Sequence, residues 1–345
     1  KAALEGFKDV PGTEIRVFYP ENGVSDIQKL QMITQEGGNV AVYAVKGNFD
    51  DAQSGVKKIF TDEEYKKELS SKNISLSSAN SINFGRLVPQ VVYYFYAYSR
   101  LVKTGDIKAG DRINFTVPTG NFGNILAAYY AKMMGLNINK LICASNENNV
   151  LTEFINEGTY NRIRPFNLTL SPSMDILISS NLERLIYEIT GKNDKQVSEY
   201  MNALSKEGKY TVSDEIKNKI KDEFYGGCAT DEETLKTIGD VFEKYGYLTD
   251  THTAVAMKVY EDYKKETGDD TVNVIVSTAS PYKFAAGVLS AIGGDDKNKD
   301  GFEILESLSE KSNTEIPAPL ANLRNKEIRF NTVCKKEEMK SILAL

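Results

Sequence analysis

The sequence predicts an α/β protein built on open parallel sheets flanked by helices, and three stretches carry that expectation. Residues 113–117 form a short apolar, β-branched run, as a buried parallel strand would; a glycine turn, a helix-forming run at 125–134 and a second strand at 141–144 follow. Near the beginning, strand and helix patterns alternate with short links. Toward the other end, the strand 272–276 runs into Ser277-Thr278-Ala279-Ser280, small hydroxyl residues where open α/β sheets bind ligands, beyond the carboxyl ends of their strands. At 345 residues the chain exceeds an ordinary single core, so two domains or one large α/β unit is expected.

Taken in order, residues 1–9 read as the end of a helix closed by the turn Val10-Pro11-Gly12. Residues 14–19 read as a strand ended by Pro20; Ser25 caps a helix over 26–35 that stops at Gly37-Gly38. A second strand covers 40–45 and a helix 50–60. Asp50 and Asp51 suit the first turn of that helix, where carboxylates meet the positive end of its dipole, better than they suit a metal pair. These elements form a small α/β domain over 1–75, and the serine-rich stretch 69–81 leads to a large domain over 76–345. A helix at 89–102 carries Val91, Val92, Tyr94, Phe95 and Tyr98 as one apolar face. Residues 151–157 and 175–189 read as helices around a proline-bearing loop at 162–173. Residues 192–247 read as helical and strongly charged, with Thr230 and Glu233 at capping-box spacing. A further helix spans 253–265, and the tail from 316 mixes coil and helix without legible chemistry. No internal repeat or low-complexity segment is visible.

Composition removes several function classes. A net charge of −6 argues against nucleic acid as the main partner, because a phosphate backbone selects basic surfaces. No apolar run approaches bilayer thickness, so no membrane partner is expected. Cys143, Cys228 and Cys334 lie far apart without a CxxC, which suits reduced thiols and a cytoplasmic compartment. With His252 as the single histidine, a zinc site is poorly supplied. His252 lies near Asp250, but without a Gly-x-Ser-x-Gly elbow it reads as a helix-start or core histidine rather than a triad member. The sequence opens at Lys1 inside an apparent helix rather than at a methionine, and so reads as a fragment.

The chemistry concentrates in the turn Pro118-Thr119-Gly120-Asn121-Phe122-Gly123-Asn124. Gly120 and Gly123 permit a tight turn at a helix start, where backbone N–H groups and the macrodipole favour a phosphate; Asn121 and Asn124 add side-chain amides. The turn lacks both the P-loop ending and the dinucleotide pattern. A second cluster, Ser78-Ala79-Asn80-Ser81-Ile82-Asn83-Phe84-Gly85-Arg86, is unusually polar for a helix start, and Ser81, Asn83 and Arg86 are suited to holding an anion. From the residues alone this is a protein for a phosphorylated cofactor and an anionic substrate, with the chemistry left open.

The segments Tyr19-Pro20, Val24-Ser25, Gln28, Gly47-Asn48-Phe49-Asp50-Asp51-Ala52-Gln53, Ser78-Ala79-Asn80-Ser81-Ile82-Asn83, Pro118–Asn124, Ser171-Pro172-Ser173-Met174-Asp175-Ile176, His252-Thr253-Ala254-Val255 and Thr278-Ala279-Ser280-Pro281 run in one order along the chain. In that order they resemble threonine synthase, a pyridoxal 5'-phosphate enzyme of the tryptophan-synthase-β group (fold type II, two open twisted sheets flanked by helices). The resemblance implies that Gly120, Asn121, Phe122, Gly123 and Asn124 cradle the cofactor phosphate and that Thr278 bonds its ring nitrogen. It implies that Ser81, Asn83 and Arg86 face the phosphate of the small-molecule substrate O-phospho-L-homoserine, in a monomer or homodimer. The family's Schiff-base lysine precedes a carboxylate-binding loop that Lys1 would directly follow, so no catalytic lysine is expected in this chain. Phe7-Lys8-Asp9 copies the lysine motif by accident. Another lyase or dehydratase of this fold acting on serine or threonine, and a non-catalytic phospho-ligand-binding protein, are the alternatives.

Overall fold

The computed structural model describes residues 2–47 and 49–343. Lys1 and Asn48 lie outside the described residues, as do the side chains of Phe49, Asp50 and Gln53. Two compact units are present, one of residues 1–79 with 297–345 and one of residues 80–296. Among the described residues the strands are β1 (Ile15–Pro20), β2 (Val40–Val45), β3 (Ile113–Pro118), β4 (Ile138–Ser145), β5 (Thr159–Asn161), β6 (Lys209–Thr211), β7 (Phe224–Cys228), β8 (Asn273–Ile275) and β9 (Val333–Cys334).

The first unit is a parallel sheet in the order β1-β2-β9. Side chains alternate across β2: Val40, Val42 and Ala44 pack with Leu4, Tyr19 and Ile33, whereas Val45 points to the opposite face with Ile59, Tyr65 and Leu69. Ser25 caps the helix Asp26–Ile33 by accepting the Gln28 N–H at 3.3 Å. The expected division left the tail with the large domain. Instead residues 297–345 return to the first unit, where β9 pairs with Ala44 and Val45. A strand this short has too little periodicity to be legible; its pairing partner creates it.

The second unit holds a parallel sheet in the order β7-β4-β3-β8, with β3 buried along its whole length. Leu141 and Cys143 of β4 face the helix Gly123–Met133, while Ile142 and Ala144 face Val255 and Val259 of the helix Thr251–Thr267. Helices on both faces explain why β3 and β4 read as nearly continuous apolar runs. Three expectations need correction here. The stretch 192–247, read as charged helix, also contains β6 and β7, and in β7 Gly226 and Gly227 leave no room for a side chain: a Cβ would lie 3.1 Å from Thr152 backbone or 2.7 Å from Val259. Helices on both faces thus select two glycines that resemble a loop in sequence. The segment 175–181 is not helical, and the helix begins at Leu182; the Asp175 carboxylate is occupied by Asn146, Asn148 and Thr169 instead. On the helix Val91–Thr104, Val91 and Tyr94 are buried, but Val92 and Phe95 are exposed, since they fall on the neighbouring stripe of a 3.6-residue period.

At the amino-terminal edge of this sheet, fully buried Asn114 donates to Asp269 at 2.8 Å, and Asn139 and Tyr263 donate to the same carboxylate. Partial burial would raise the Asp269 carboxyl, but hydrogen bonds from Thr271, Tyr263 and Asn114 outweigh it and hold the group well below the usual range. Because the folded value lies below the unfolded one, this stabilisation is complete above the ordinary aspartate range and fades as pH falls through it. Asp269→Ala should therefore destabilise the protein by about 1–3 kcal/mol at neutral pH by orphaning Asn114. Urea unfolding across pH should show the gap from wild type narrowing in acid.

Candidate functional site

The site is built where β3 ends. Thr119 donates its N–H to the Ala144 carbonyl, extending the strand one residue before the chain turns. Phe122 then sits in the left-handed region at φ 65°, its side chain wholly buried 5.6 Å from the Phe224 ring. That conformation costs a non-glycine residue free energy, which anchoring the ring in the core offsets. Phe122 thus shapes the turn Pro118–Asn124, a cup of backbone groups at the helix start, through its backbone. The helix Gly123–Met133 follows, and among the described residues no protein acceptor takes the N–H groups of Phe122, Asn124 or Ile125. The Gly123 N–H is different: it donates to Asn121 Oδ1 at 3.0 Å, so this amide of the expected set is already engaged. The Asn124 Oδ1 is likewise held, by the Tyr94 hydroxyl.

Both glycines are fixed by close approach rather than by turn geometry. A Cβ on Gly120 would lie 2.6 Å from the Ser173 carbonyl oxygen, and one on Gly123 would lie 2.7 Å from Ser81 Oγ. The cup is therefore walled by residues far away in sequence. Ser179 Oγ donates to the Gly120 carbonyl at 2.8 Å, and buried Asn181 donates twice to the Asn121 carbonyl and reaches Ser81 Oγ at 3.3 Å. Ser173 is held by His252, whose Nε2 accepts the Ser173 N–H at 3.2 Å. That bond requires a lone pair on Nε2, which leaves Nδ1 as the protonated nitrogen facing Asp250 at 3.3 Å. Burial would raise the Asp250 carboxyl, but hydrogen bonds from His252 and Thr253 hold it below the usual range. Asp250 also caps the helix Thr251–Thr267, so the histidine is a helix-start core residue as its sequence position suggested.

Thr278 lies beyond the end of β8, the strand next to β3. Thr116 pairs with Ile275, so Thr278 follows the carboxyl-terminal end of the strand beside β3 by three residues, exposed. The polar cluster opens the second unit. Asn83 caps the one-turn helix Phe84–Leu87 by accepting the Gly85 N–H at 3.0 Å, so its side-chain oxygen has a structural task. Arg184 donates to the Ile82 carbonyl at 3.0 Å and lies 5.6 Å from the Phe84 ring centre, pinning the turn. Arg86 is exposed, and no carboxylate pairs with its guanidinium among the described residues. The structure thus brings Ser81 to the cup directly, whereas Asn83 and Arg86 extend from the same turn.

Lys8 lies elsewhere, in the first unit. Its amine bonds Glu5 at 3.0 Å and Glu36 at 3.4 Å, and these hydrogen bonds raise its pKa. The adjacent Asp9 bonds Asn39 and Gly38, just before β2 begins, so this segment sits at the amino-terminal edge of its sheet. Asp51 packs over Gly47 and pairs with Lys336, and no metal-binding group of residues occurs among the described residues. All three cysteines are free, with burial pushing the Cys143 thiol up to about 12. No described helix is long and apolar enough to cross a membrane.

Comparison with known proteins bears on the family and the fold. Residues 253–343 match the family model described as threonine synthase, C-terminal. A threonine synthase from Pseudomonas aeruginosa is 38% identical over 84% of this chain and 59% of its own. The solved structure of pyridoxal-phosphate-bound threonine synthase from Brucella melitensis superposes with a TM-score of 0.82 at 38% identity, covering 99% of this chain and 66% of that one. The chain belongs to the threonine synthase family. Threonine synthase-like 1 from Homo sapiens is 42% identical over 84% of this chain, which spans 40% of that protein. The chain is thus shorter than the family members it matches, and its α/β fold is the one expected from the sequence.

Residues that sequence reading passed over are those that shape the cup from outside: Tyr94, Ser179, Asn181, and the Asn146–Asn148 pair that holds Asp175. A signal was present in the asparagine-rich run 146–149 at the end of β4, which charge and periodicity do not explain. Gly120→Ala tests the packing directly. Because the clash is with backbone, the variant should lose about 1–3 kcal/mol of stability, seen as a lowered midpoint in thermal melts.

Proposed function

We propose that this chain carries the cofactor-phosphate and substrate-phosphate sites of a threonine synthase, which converts O-phospho-L-homoserine and water to L-threonine and phosphate with pyridoxal 5'-phosphate. The observation that supports this best is the contact between Ser81 and Gly123, because it sets the anion cluster against the phosphate cup. The residues present fit the cofactor: the cup has unused N–H groups at a helix start, no room for a side chain at its floor, and a hydroxyl on the adjacent strand end.

When bound, pyridoxal phosphate supplies an electron-withdrawing ring that acidifies the carbons beside the substrate's amino group. The chain's own residues hold and orient. The N–H groups of Phe122, Asn124 and Ile125, backed by the helix dipole, bind the cofactor phosphate together with the Asn124 side-chain amide. The Thr278 hydroxyl bonds the ring nitrogen; being neutral, it does not enforce protonation there as a carboxylate would. Arg86 grips the substrate phosphate with its planar fork, assisted by the Ser81 hydroxyl and the Asn83 amide nitrogen. His252 moves no proton in this scheme: through Ser173 it keeps the cup wall in place.

Lys8 is given no part in this chemistry: its segment sits at the amino-terminal edge of its own sheet, and its amine is engaged by Glu5 and Glu36. The proposal accordingly assigns no turnover to the 345-residue chain alone. Borohydride reduction with pyridoxal phosphate followed by peptide mapping should leave Lys8 unlabelled; specific label there, or turnover by the chain alone, overturns the assignment. In the complete protein, Arg86→Ala should raise KM for phosphohomoserine on the order of tenfold, the scale of one lost charge-assisted hydrogen bond. Cofactor affinity should stay unchanged. Thr278→Val should lower turnover and shift the cofactor's absorbance. Equal losses with serine and phosphohomoserine would instead favour a dehydratase.

A further inference from the structure

Tyr94 is fully buried beneath the cup, on the helix Val91–Thr104, and its ring packs edge-on against Phe115 of β3 at 4.9 Å. Its hydroxyl reaches two oxygens of one residue, the Asn124 side-chain Oδ1 at 2.7 Å and the Asn124 carbonyl at 2.9 Å. Burial drives the phenol far above its ordinary pKa, so the group is a permanent donor. A carboxamide has two faces of opposite sense: its nitrogen attracts an anion and its oxygen repels one. Tyr94 holds the oxygen of Asn124 inward, and on this partly buried residue the amide nitrogen is left as the end that can meet a ligand.

We propose that Tyr94 is a positioning residue for the phosphate cup, fixing the orientation of the Asn124 carboxamide so that it presents a donor to the bound phosphate. Without the hydroxyl, the Asn124 oxygen loses its buried partner and the carboxamide is free to rotate, turning an acceptor toward the anion. The inference rests on reading the cup as a phosphate site, and the test separates the two.

In the full chain, equilibrium binding of pyridoxal phosphate, pyridoxal and inorganic phosphate would be compared for wild type, Tyr94→Phe, Asn124→Ala, the double variant and Tyr98→Phe. Tyr94→Phe keeps the ring and its contact with Phe115, and a thermal melt establishes that it is folded. Tyr98 donates to the Asp111 carbonyl from the next turn of the same helix and serves as the control for loss of a tyrosine hydroxyl. The expected result is a loss on the order of tenfold for pyridoxal phosphate and inorganic phosphate in Tyr94→Phe, with pyridoxal unaffected. Asn124→Ala should behave alike, and the double variant should be no worse than either single one, since both remove the same donor. Tyr98→Phe should bind as wild type. A wild-type chain that binds pyridoxal as tightly as pyridoxal phosphate overturns the phosphate-site reading and the inference with it. Preference for phosphate in wild type that Tyr94→Phe retains undiminished, or additive losses in the double variant, overturns the inference alone.

Discussion

The candidate site depends on one packing constraint: the Ser173 backbone and the side chains of Ser81 and Asn181 close on a helix start with no space for a further side chain. Gly120 lies against Ser173, Gly123 lies against Ser81, and the carbonyl of Asn121 between them is bridged by Asn181. Such contacts leave little freedom, the one at Gly120 least of all, because the Ser173 backbone cannot rotate away as a side chain can. They fix the curvature of the turn, and with it the direction in which the first N–H groups of the helix point. Phe122 locks the geometry from the opposite side by burying its ring while its backbone adopts a left-handed conformation.

Around that contact lies a shell of buried polar groups whose task is to hold loops. Asp175 gathers bonds from Asn146, Asn148 and Thr169, and the Asp250–His252 pair fixes Ser173. Burying this much polarity adds little net stability, since each bond replaces one to water, but leaving any member unpaired is costly. The arrangement favours precision of the loop ends over stability. Within it, the lone pair that His252 Nε2 offers the Ser173 N–H ties the cup wall to the start of the helix Thr251–Thr267.

The cup was legible because a buried strand, two glycines and a helix-forming run occur in succession, and each is a local signal. The sheet at the core was legible for the same reason: β3 carries Ile113, Phe115 and Val117, and β4 carries the run Leu141–Ala144. What stayed hidden was non-local. β7 is a strand because helices pack on both sides of Gly226 and Gly227, and β9 is a strand because β2 offers it an edge. Tyr94 looked like one more aromatic on a packed face, which it is; only the position of its hydroxyl against Asn124 distinguishes it. Asn83 combined two roles in one residue type, and sequence could not tell the helix cap from the anion ligand.

The late return of the chain to its first unit has a consequence for how the protein is made. The second unit is continuous, and all its strands have been synthesised by residue 275. The first unit is interrupted: β1 and β2 are translated early, yet the outer edge of β2 waits for β9. Throughout that interval Ala44 and Val45 present unpaired backbone beside an apolar face, the kind of edge that recruits strands from other chains. Folding of this protein on the ribosome is therefore expected to run out of sequence order. The central unit matures first, while the opening segment remains dependent on chaperone protection until the tail arrives.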